Sequence, residues 1–395
     1  MREWLWFVKG LEEEFLTSQR TMTKKIGVVG GGQLAWMMGK VASSLDVELF
    51  VQTPNQSDPA VGEAQDVVLG AIADAEATKK LASLCDVVTF ENEFIDLAAL
   101  QALADSGVIF RPSLKALAPL LDKYDQRTYL QSIGLPVPEF VLLQPDTELT
   151  GRSFPQVLKA RRHGYDGQGT FVIKDTAELK QIWHKYDRPS MLLESFIPFA
   201  KELAIMVARN QQGDIVTYPV VETVQKEQVC RWVFAPANIS AAVAKSAKAI
   251  ATKLVAELEY VGVLGIEFFL TEQNQLLINE IAPRTHNSGH YSLDACDISQ
   301  FEMQLRAVAD LPLVTPKMKS FQALMVNLLG YETSISNYSQ QRKQITQIPR
   351  SFLRWYDKSQ SRPGRKLGHV TVLLDESSKS SIEKIAITID SLWHC

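Results

Sequence analysis

Two apolar segments near the middle of the chain constrain its folding most tightly. Val263-Leu264-Gly265-Ile266-Glu267-Phe268-Phe269-Leu270 and Leu276-Leu277-Ile278-Asn279-Glu280 flank the polar stretch Thr271–Gln275. Apolar runs of this length joined by a short polar link read as a β-hairpin. A hairpin centred between Gln273 and Asn274 sets Glu267 directly opposite Glu280, on one face. Directly opposed side chains have Cβ atoms about 4.5–5.5 Å apart, and like charges there are destabilising. Two carboxylates set in apolar strands therefore want a cation between them. Hard oxygen ligands point to Mg²⁺, with Mn²⁺ as a substitute. The competing arrangement is a solvent-facing pair in another register.

The first hundred residues carry a second constraint. Ile26–Val29, Val47–Val51, Val67–Leu69 and Asp86–Phe90 are short strand patterns, with helical stretches such as Leu34–Leu45 between them. That alternation predicts a parallel α/β sheet, ending near residue 118. Gly30-Gly31-Gly32-Gln33-Leu34-Ala35 lies between the first strand and its helix. Such a turn lets backbone N–H groups meet a phosphate at a helix N-terminus. It is also compatible with a tight turn that binds nothing. A dinucleotide fold would want an acidic ribose partner about 20 residues on. Glu48 comes early for that role, and Gln52-Thr53 closes the second strand.

Further along, Asp122–Gly134 is helical and stops at Gly134-Leu135-Pro136. Strand patterns follow at Val157–Lys159, Thr170–Ile173, Met191–Leu193 and Leu203–Val207. Ser240 is a good N-cap for a helix whose apolar stripe runs Val243, Ala247, Ile250, Ala251, Leu254, Val255, Leu258. Residues 331–349 are polar and read as a surface connection, before a last β-rich unit from about Phe352.

Between two of these strands lies Lys159-Ala160-Arg161-Arg162-His163-Gly164-Tyr165-Asp166-Gly167-Gln168-Gly169-Thr170. It does not match the Walker A pattern. Three glycines in six positions make a flap whose amides can fold over a triphosphate, with Lys159 as a point charge at its base. A plain glycine-rich hairpin is the alternative. Ile281–His290 forms a polar loop directly after the second glutamate strand, a natural place for substrate contacts. Its two histidines, with no cysteine nearby, do not suit zinc. The stretch from Arg350 to His369 holds six Lys or Arg against one Asp, either a small-phosphate site or a solvated charged face.

Composition excludes several classes. The chain has 395 residues, enough for two or three domains. Its net charge of −4 argues against nucleic acid as a partner. No apolar run approaches the roughly 18 residues of a membrane span, so no membrane partner is expected. The four cysteines form no C-x-x-C pair, which fits a reducing, cytoplasmic setting. Residues 1–22 read as a poorly ordered extension, or as an upstream start with Met22 as the natural one. A short docking helix is the other possibility there.

With these motifs in view, the chain resembles the ATP-grasp enzymes, and among them the 5-(carboxyamino)imidazole ribonucleotide synthetases. The resemblance spans about residues 24–375 and rests on GGGQL (30–34), GYDGQG (164–169), ESFI (194–197), KEL (201–203), NEIAPRTHNSGH (279–290), SQFE (299–302), WYDK (355–358) and RPGRKLGH (362–369). It implies a mixed α/β and α+β molecule with an ATP-grasp fold. The expected division is a Rossmann-like parallel domain over 23–118, the ATP-grasp domain over 119–330 and a small β-rich C-terminal domain over 331–395. The implied activity is carboxylation of 5-aminoimidazole ribonucleotide with ATP and bicarbonate, releasing ADP and phosphate, by a homodimer.

Residue roles follow from the same resemblance. Lys159 and the loop Gly164, Tyr165, Asp166, Gly167, Gln168, Gly169, Thr170 would hold ATP phosphates. The hinge Glu194, Ser195, Phe196, Ile197 would read adenine, Glu202 would bind ribose, and Arg111 would sit at the nucleotide pocket. Glu267 and Glu280 would ligate magnesium, with Asn279 beside them. Asp166, Arg284, His286 and Asn287, with Tyr165, would surround bicarbonate and the ribotide as the catalytic group. Gly32, Gln33, Leu34, Glu91, Lys358, Arg365 and Lys366 would hold the ribotide. One departure is Gln225, which stands where the family often has a histidine that contacts ATP. The readings that compete are another ATP-grasp ligase such as a formate-dependent ribotide transformylase, an NAD-dependent oxidoreductase built on the first glycine turn, and a ribotide-binding regulator.

Overall fold

The computed structural model describes residues 23–149, 151–162, 169–376 and 382–394. The extension 1–22 and the centre of the second glycine cluster, His163 to Gln168, lie outside the described residues.

The first four strands form a parallel sheet. They are β1 (Lys24–Val29), β2 (Val47–Thr53), β3 (Asp66–Leu69) and β4 (Val87–Phe90), in the order β3-β2-β1-β4. The end of β1 and all of β4 are buried, as strands covered on both faces must be. Helices Gln33–Ala42, Ala75–Ala82 and Leu97–Asp105 complete the unit. The last two start at aspartate caps, Asp74 and Asp96, that accept backbone N–H groups of the first turn.

A second, antiparallel sheet contains β5 (Phe140–Leu143), β6 (Gln156–Ala160), β7 (Thr170–Ile173) and β8 (Met191–Ser195), in the order β5-β8-β6-β7. The large sheet is also antiparallel. Among the described residues it holds β9 (Phe199–Arg209), β10 (Ile215–Thr217), β11 (Val221–Lys226), β12 (Val229–Ala235), β13 (Gly262–Thr271), β14 (Leu276–Ala282), β15 (Gln322–Leu329), β16 (Ser351–Trp355) and β17 (Lys366–Leu374). Its order is β14-β13-β9-β11-β12-β15-β17-β16, with β10 paired to β9. The helix Ala241–Glu257 covers it, capped by Ser240, whose hydroxyl accepts the Val243 N–H. Its apolar stripe buries Val243, Ala247, Ala251, Leu254 and Val255, and Ile250 is half-buried.

The glutamate hairpin forms with Glu267 paired to Glu280. Its turn differs from the expected one. Asn274 takes a left-handed φ of 62°, and the Thr271 N–H donates to the Gln275 carbonyl at 2.9 Å, which centres the turn on Gln273. A bulge corrects the offset. Phe268 pairs with Ile278, so Asn279 is the extra residue on β14.

The C-terminal segment beyond residue 330 differs more. Within 331–349, expected to be only a connection, Ser339–Ile345 is helical and both Tyr338 and Ile345 are buried. Two isolated apolar residues seven apart give too little periodicity to show in a polar stretch. Residues beyond 330 do not make a sheet of their own. β15 is hydrogen-bonded to β17 from Gln322–Leu374 to Leu329–Lys366, so β17 and β16 extend the large sheet. A final helix, Ile382–Trp393, closes the unit, and the Trp393 indole N–H donates to the Leu329 carbonyl at 2.7 Å.

One helix ties the parallel sheet to the large one. Phe301, Leu305 and Val308 of Gln300–Val308 share a core with Ile26, Val28, Val51 and Tyr356. Gln304 of the same helix accepts the Val263 N–H at 2.6 Å and donates to Thr89 Oγ1 at 2.9 Å. This fixes β13 beside β4, and brings the loops after β1, β4 and β14 to one cleft.

Candidate active site

The cleft has a volume of about 1400 Å³ and is lined by the small and large sheets, by the helix start and post-β4 loop of the parallel unit, and by the segment 358–366. Glu267 and Glu280 form part of its floor. Lys123 Nζ lies 2.9 Å from Glu280 Oε1. Burial is the largest effect on Glu280 and tends to raise it, but the charge and hydrogen bond of Lys123, together with Lys159 and His286, hold the carboxyl below its ordinary value. For Glu267 burial is the largest effect, and Glu280 and Glu202 add to it, pushing the group up to about 8. Two like residues face each other, and without a cation only one is comfortably ionised. A divalent ion between them fits this donor set. Among the described residues no group of three or more His, Cys, Asp or Glu converges as a metal cage. The pair therefore leaves most positions of an octahedral ion to phosphate oxygens and water, as Mg²⁺ prefers.

Beside this floor, Lys159 on β6 and Glu194 on β8 are buried side by side. Lys159 Nζ lies 2.6 Å from Glu194 Oε2 and donates to Asn279 Oδ1 at 3.2 Å. Arg127 donates to the other Glu194 oxygen and to the Asn279 carbonyl. Burial would raise Glu194, but Lys159 and Arg127 pull it down to about 2. The bulge thus turns Asn279 into a bridge between β14 and the small sheet. The Glu194 carboxylate is committed to this network, and Ser195, Phe196 and Ile197 after it line the cleft. Glu202, Gln225 and Thr170 line it as well. Glu202 is pushed up to about 7 by burial.

On the loop after β14, Arg284 is held by Glu93: Nε donates to Oε2 at 2.7 Å and Nη2 to Oε1 at 3.3 Å. His286 Nε2 lies 3.7 Å from Glu267 Oε1, and its Nδ1 is 2.9 Å from the Ser288 hydroxyl. Buried Gln300 straps this loop, accepting the His286 N–H at 3.0 Å and donating to the His286 carbonyl at 2.8 Å. Asn287 and Asn327 exchange amide hydrogen bonds of 2.9 and 2.7 Å.

The first glycine turn is occupied from within. Glu91 accepts the N–H groups of Gly32 at 2.7 Å and Ala35 at 2.9 Å. Its carboxylate fills the helix N-terminus where an incoming phosphate was expected. Gln33, Leu34 and Glu91, three of the residues expected to hold the ribotide, line the cleft. Lys358, Arg362, Arg365 and Lys366 also line the cleft. Arg365 Nη1 is tied to the Gln360 carbonyl at 2.7 Å.

Not every expected residue joins the group. Arg111 does not line the cleft: its Nη1 donates to the Val308 carbonyl at 2.6 Å and pairs with Asp310 at 2.8 Å. Gly169 closes the described base of the flap, its carbonyl accepting the Ala160 N–H at 2.7 Å. Gly164, Tyr165, Asp166, Gly167 and Gln168 lie outside the described residues. Sequence reasoning missed Glu93, Lys123, Arg127 and Asn327. The pattern Glu91-Asn92-Glu93 at the end of β4 was a usable signal for the first. The other three sit on ordinary-looking helix or strand, and no local pattern marks them.

Comparison with known proteins agrees with this geometry. Residues 22–119 match a ribonucleotide synthetase preATP-grasp domain, 128–301 an ATP-grasp domain, and 323–383 a phosphoribosylaminoimidazole carboxylase C-terminal domain. An N5-carboxyaminoimidazole ribonucleotide synthase of Synechococcus elongatus is 54% identical over 376 residues, covering 93% of this chain and 95% of that protein. One from Synechocystis is 50% identical over 392 residues, covering 95% and 99%. A crystal structure of N5-carboxyaminoimidazole synthase from Aspergillus clavatus, in complex with ADP and 5-aminoimidazole ribonucleotide, superimposes with a TM-score of 0.86 at 31% identity, covering 94% of this chain and 99% of that one. These matches leave no place for the oxidoreductase reading. The chain belongs to the N5-carboxyaminoimidazole ribonucleotide synthase family of ATP-grasp ligases.

Proposed function

We propose that this protein carboxylates the exocyclic amine of 5-aminoimidazole ribonucleotide, using ATP and bicarbonate. The observation that carries the reading is the single cleft in which the opposed pair Glu267–Glu280, the cation Lys159, the loop Arg284–Asn287 and the basic segment 358–366 meet. In this reading Lys159 and the flap hold the ATP phosphates, and Ser195 to Ile197, Glu202 and Gln225 surround the nucleoside. Glu267 and Glu280 would hold Mg²⁺, which supplies neutralisation of the charge on the transferred phosphoryl group.

Bicarbonate oxygen attacks the γ-phosphorus, the bond to the β-phosphate oxygen breaks, and ADP leaves. Arg284 orients the bicarbonate by its guanidinium, and His286 and Asn287 border the same space. The amine nitrogen then attacks the carboxyl carbon of carboxyphosphate, and phosphate departs. The amine loses one proton, which the departing phosphate or Asp166 accepts. Lys358, Arg365 and Lys366 meet the ribotide phosphate, and Glu91 with Gln33 and Leu34 faces its sugar. A closed cleft keeps water from the labile intermediate.

The deciding experiment is ADP release with each component omitted in turn. The reading requires dependence on both bicarbonate and the aminoimidazole ribotide. Formate in place of bicarbonate, with turnover, would assign the protein to the transformylases instead. Ribotide binding without any ADP release would make it a regulator.

A further inference from the structure

We propose that Glu93 is a positioning residue that aims Arg284 at bicarbonate; this rests on the assignment of Arg284 above. A guanidinium has five N–H groups in a fixed plane. Glu93 takes two of them, from Nε and Nη2, along one edge of the Arg284 fork. The Thr285 carbonyl takes one from Nη1, at 3.2 Å. With respect to these partners, one N–H remains on Nη1 and one on Nη2. Two such N–H groups in one plane match the paired oxygens of a carboxylate-like anion.

The placement follows from the fold. Glu93 comes from the loop after β4 of the parallel sheet, 191 residues before Arg284. Two residues earlier in the same loop, Glu91 is committed to the glycine turn. The loop therefore carries one carboxylate to each of two neighbours, and Glu93 is the one that reaches across to the end of β14. Because it binds the guanidinium along a whole edge, it fixes the plane of that group and not only its position. It also compensates the charge, so the anion is held by direction more than by attraction. Glu93 needs no contact with substrate to do this.

A mere tie between two domains would show the same hydrogen bonds, so the test must separate the two roles. Glu93→Gln keeps the volume and one acceptor but cannot grip both nitrogens as an acceptor. It should raise the KM for bicarbonate about tenfold, with the KM for ATP and the melting temperature little changed. Glu93→Asp, which keeps both oxygens, should recover part of the loss. Arg284→Lys is the control for the underlying assignment. If Arg284→Lys raises the bicarbonate KM and Glu93→Gln does not, the inference falls and the assignment stands. If neither variant changes bicarbonate dependence, the assignment falls and takes the inference with it. A Glu93→Gln variant that melts early and loses ATP and bicarbonate affinity alike would show a domain tie and overturn the positioning role.

Discussion

Glu267 and Glu280 show how far a single side chain depends on its surroundings. They are the same residue type, paired across one hairpin, and their neighbours drive them apart. Lys123 keeps Glu280 ionised, while burial and the facing charge push Glu267 up to about 8. Glu267→Gln should therefore leave the metal-free protein at least as stable as the wild type, since the amide resembles the protonated acid. On the proposed function it should reduce kcat about a hundredfold or more, because it would remove a ligand of the ion that neutralises the transferred phosphoryl group. Steady-state kinetics paired with thermal shifts, with and without Mg²⁺ and ATP, checks this. The nucleotide-induced rise in melting temperature should shrink. A variant with normal kcat at ordinary Mg²⁺ would contradict the assignment.

The strand–turn–helix at 24–42 is governed by close approach. A Cβ on Gly32 would come within 2.5 Å of Glu91 Oε1, and one on Gly31 within 2.5 Å of Thr53 Oγ1. Gly30 has a left-handed φ of 113°. The glycines therefore admit a carboxylate of the protein itself, and the element is built around Glu91. Gly32→Ala should displace that carboxylate and free the two amides it caps. The cost should be about 2 kcal/mol or more, from lost charge-assisted hydrogen bonds and an uncapped helix. Calorimetry on Gly32→Ala should show a lower melting temperature, and the ribotide KM should rise because Glu91 lines the cleft. An unchanged melting temperature would mean the turn relaxes without Glu91.

For the molecule as a whole, the junction of the 286–290 loop with β17 sets a pH limit. His290 and His369 are fully buried, their rings 5.3 Å apart. Burial pushes His290 well below its ordinary value, with His369, His286 and Lys366 adding to it. Burial, with Arg354 adding, takes His369 down to about 3. The unfolded chain binds protons at these residues below about pH 6.5, and the native one does not. The unfolded state then holds more protons, so stability falls as the pH drops from about 6.5 toward the native values. Each histidine contributes up to about 1.4 kcal/mol per pH unit in that window. His369→Gln, which keeps a partner for the Tyr356 hydroxyl, should flatten the slope by about one histidine's share between pH 6.5 and 5. Denaturation curves at several pH values would show it, and parallel slopes for wild type and variant would refute it.

The sequence by itself determined what depends on near neighbours along the chain. The parallel strands, the Ser240 cap and the opposition of Glu267 to Glu280 all follow from local patterning and hairpin geometry. So did the motifs that assigned the family. Tertiary structure decided what depends on distant partners. The commitment of Glu91 to the glycine amides, the Arg127–Glu194–Lys159 network and the grip of Glu93 on Arg284 join residues tens to hundreds of positions apart. It also withdrew Arg111 to Asp310, and set β17 against β15 so that the basic segment faces the cleft. A charged side chain looks the same in sequence whether it meets a ligand or another residue. Only the packing that desolvates it, and the partner that packing supplies, distinguishes the two.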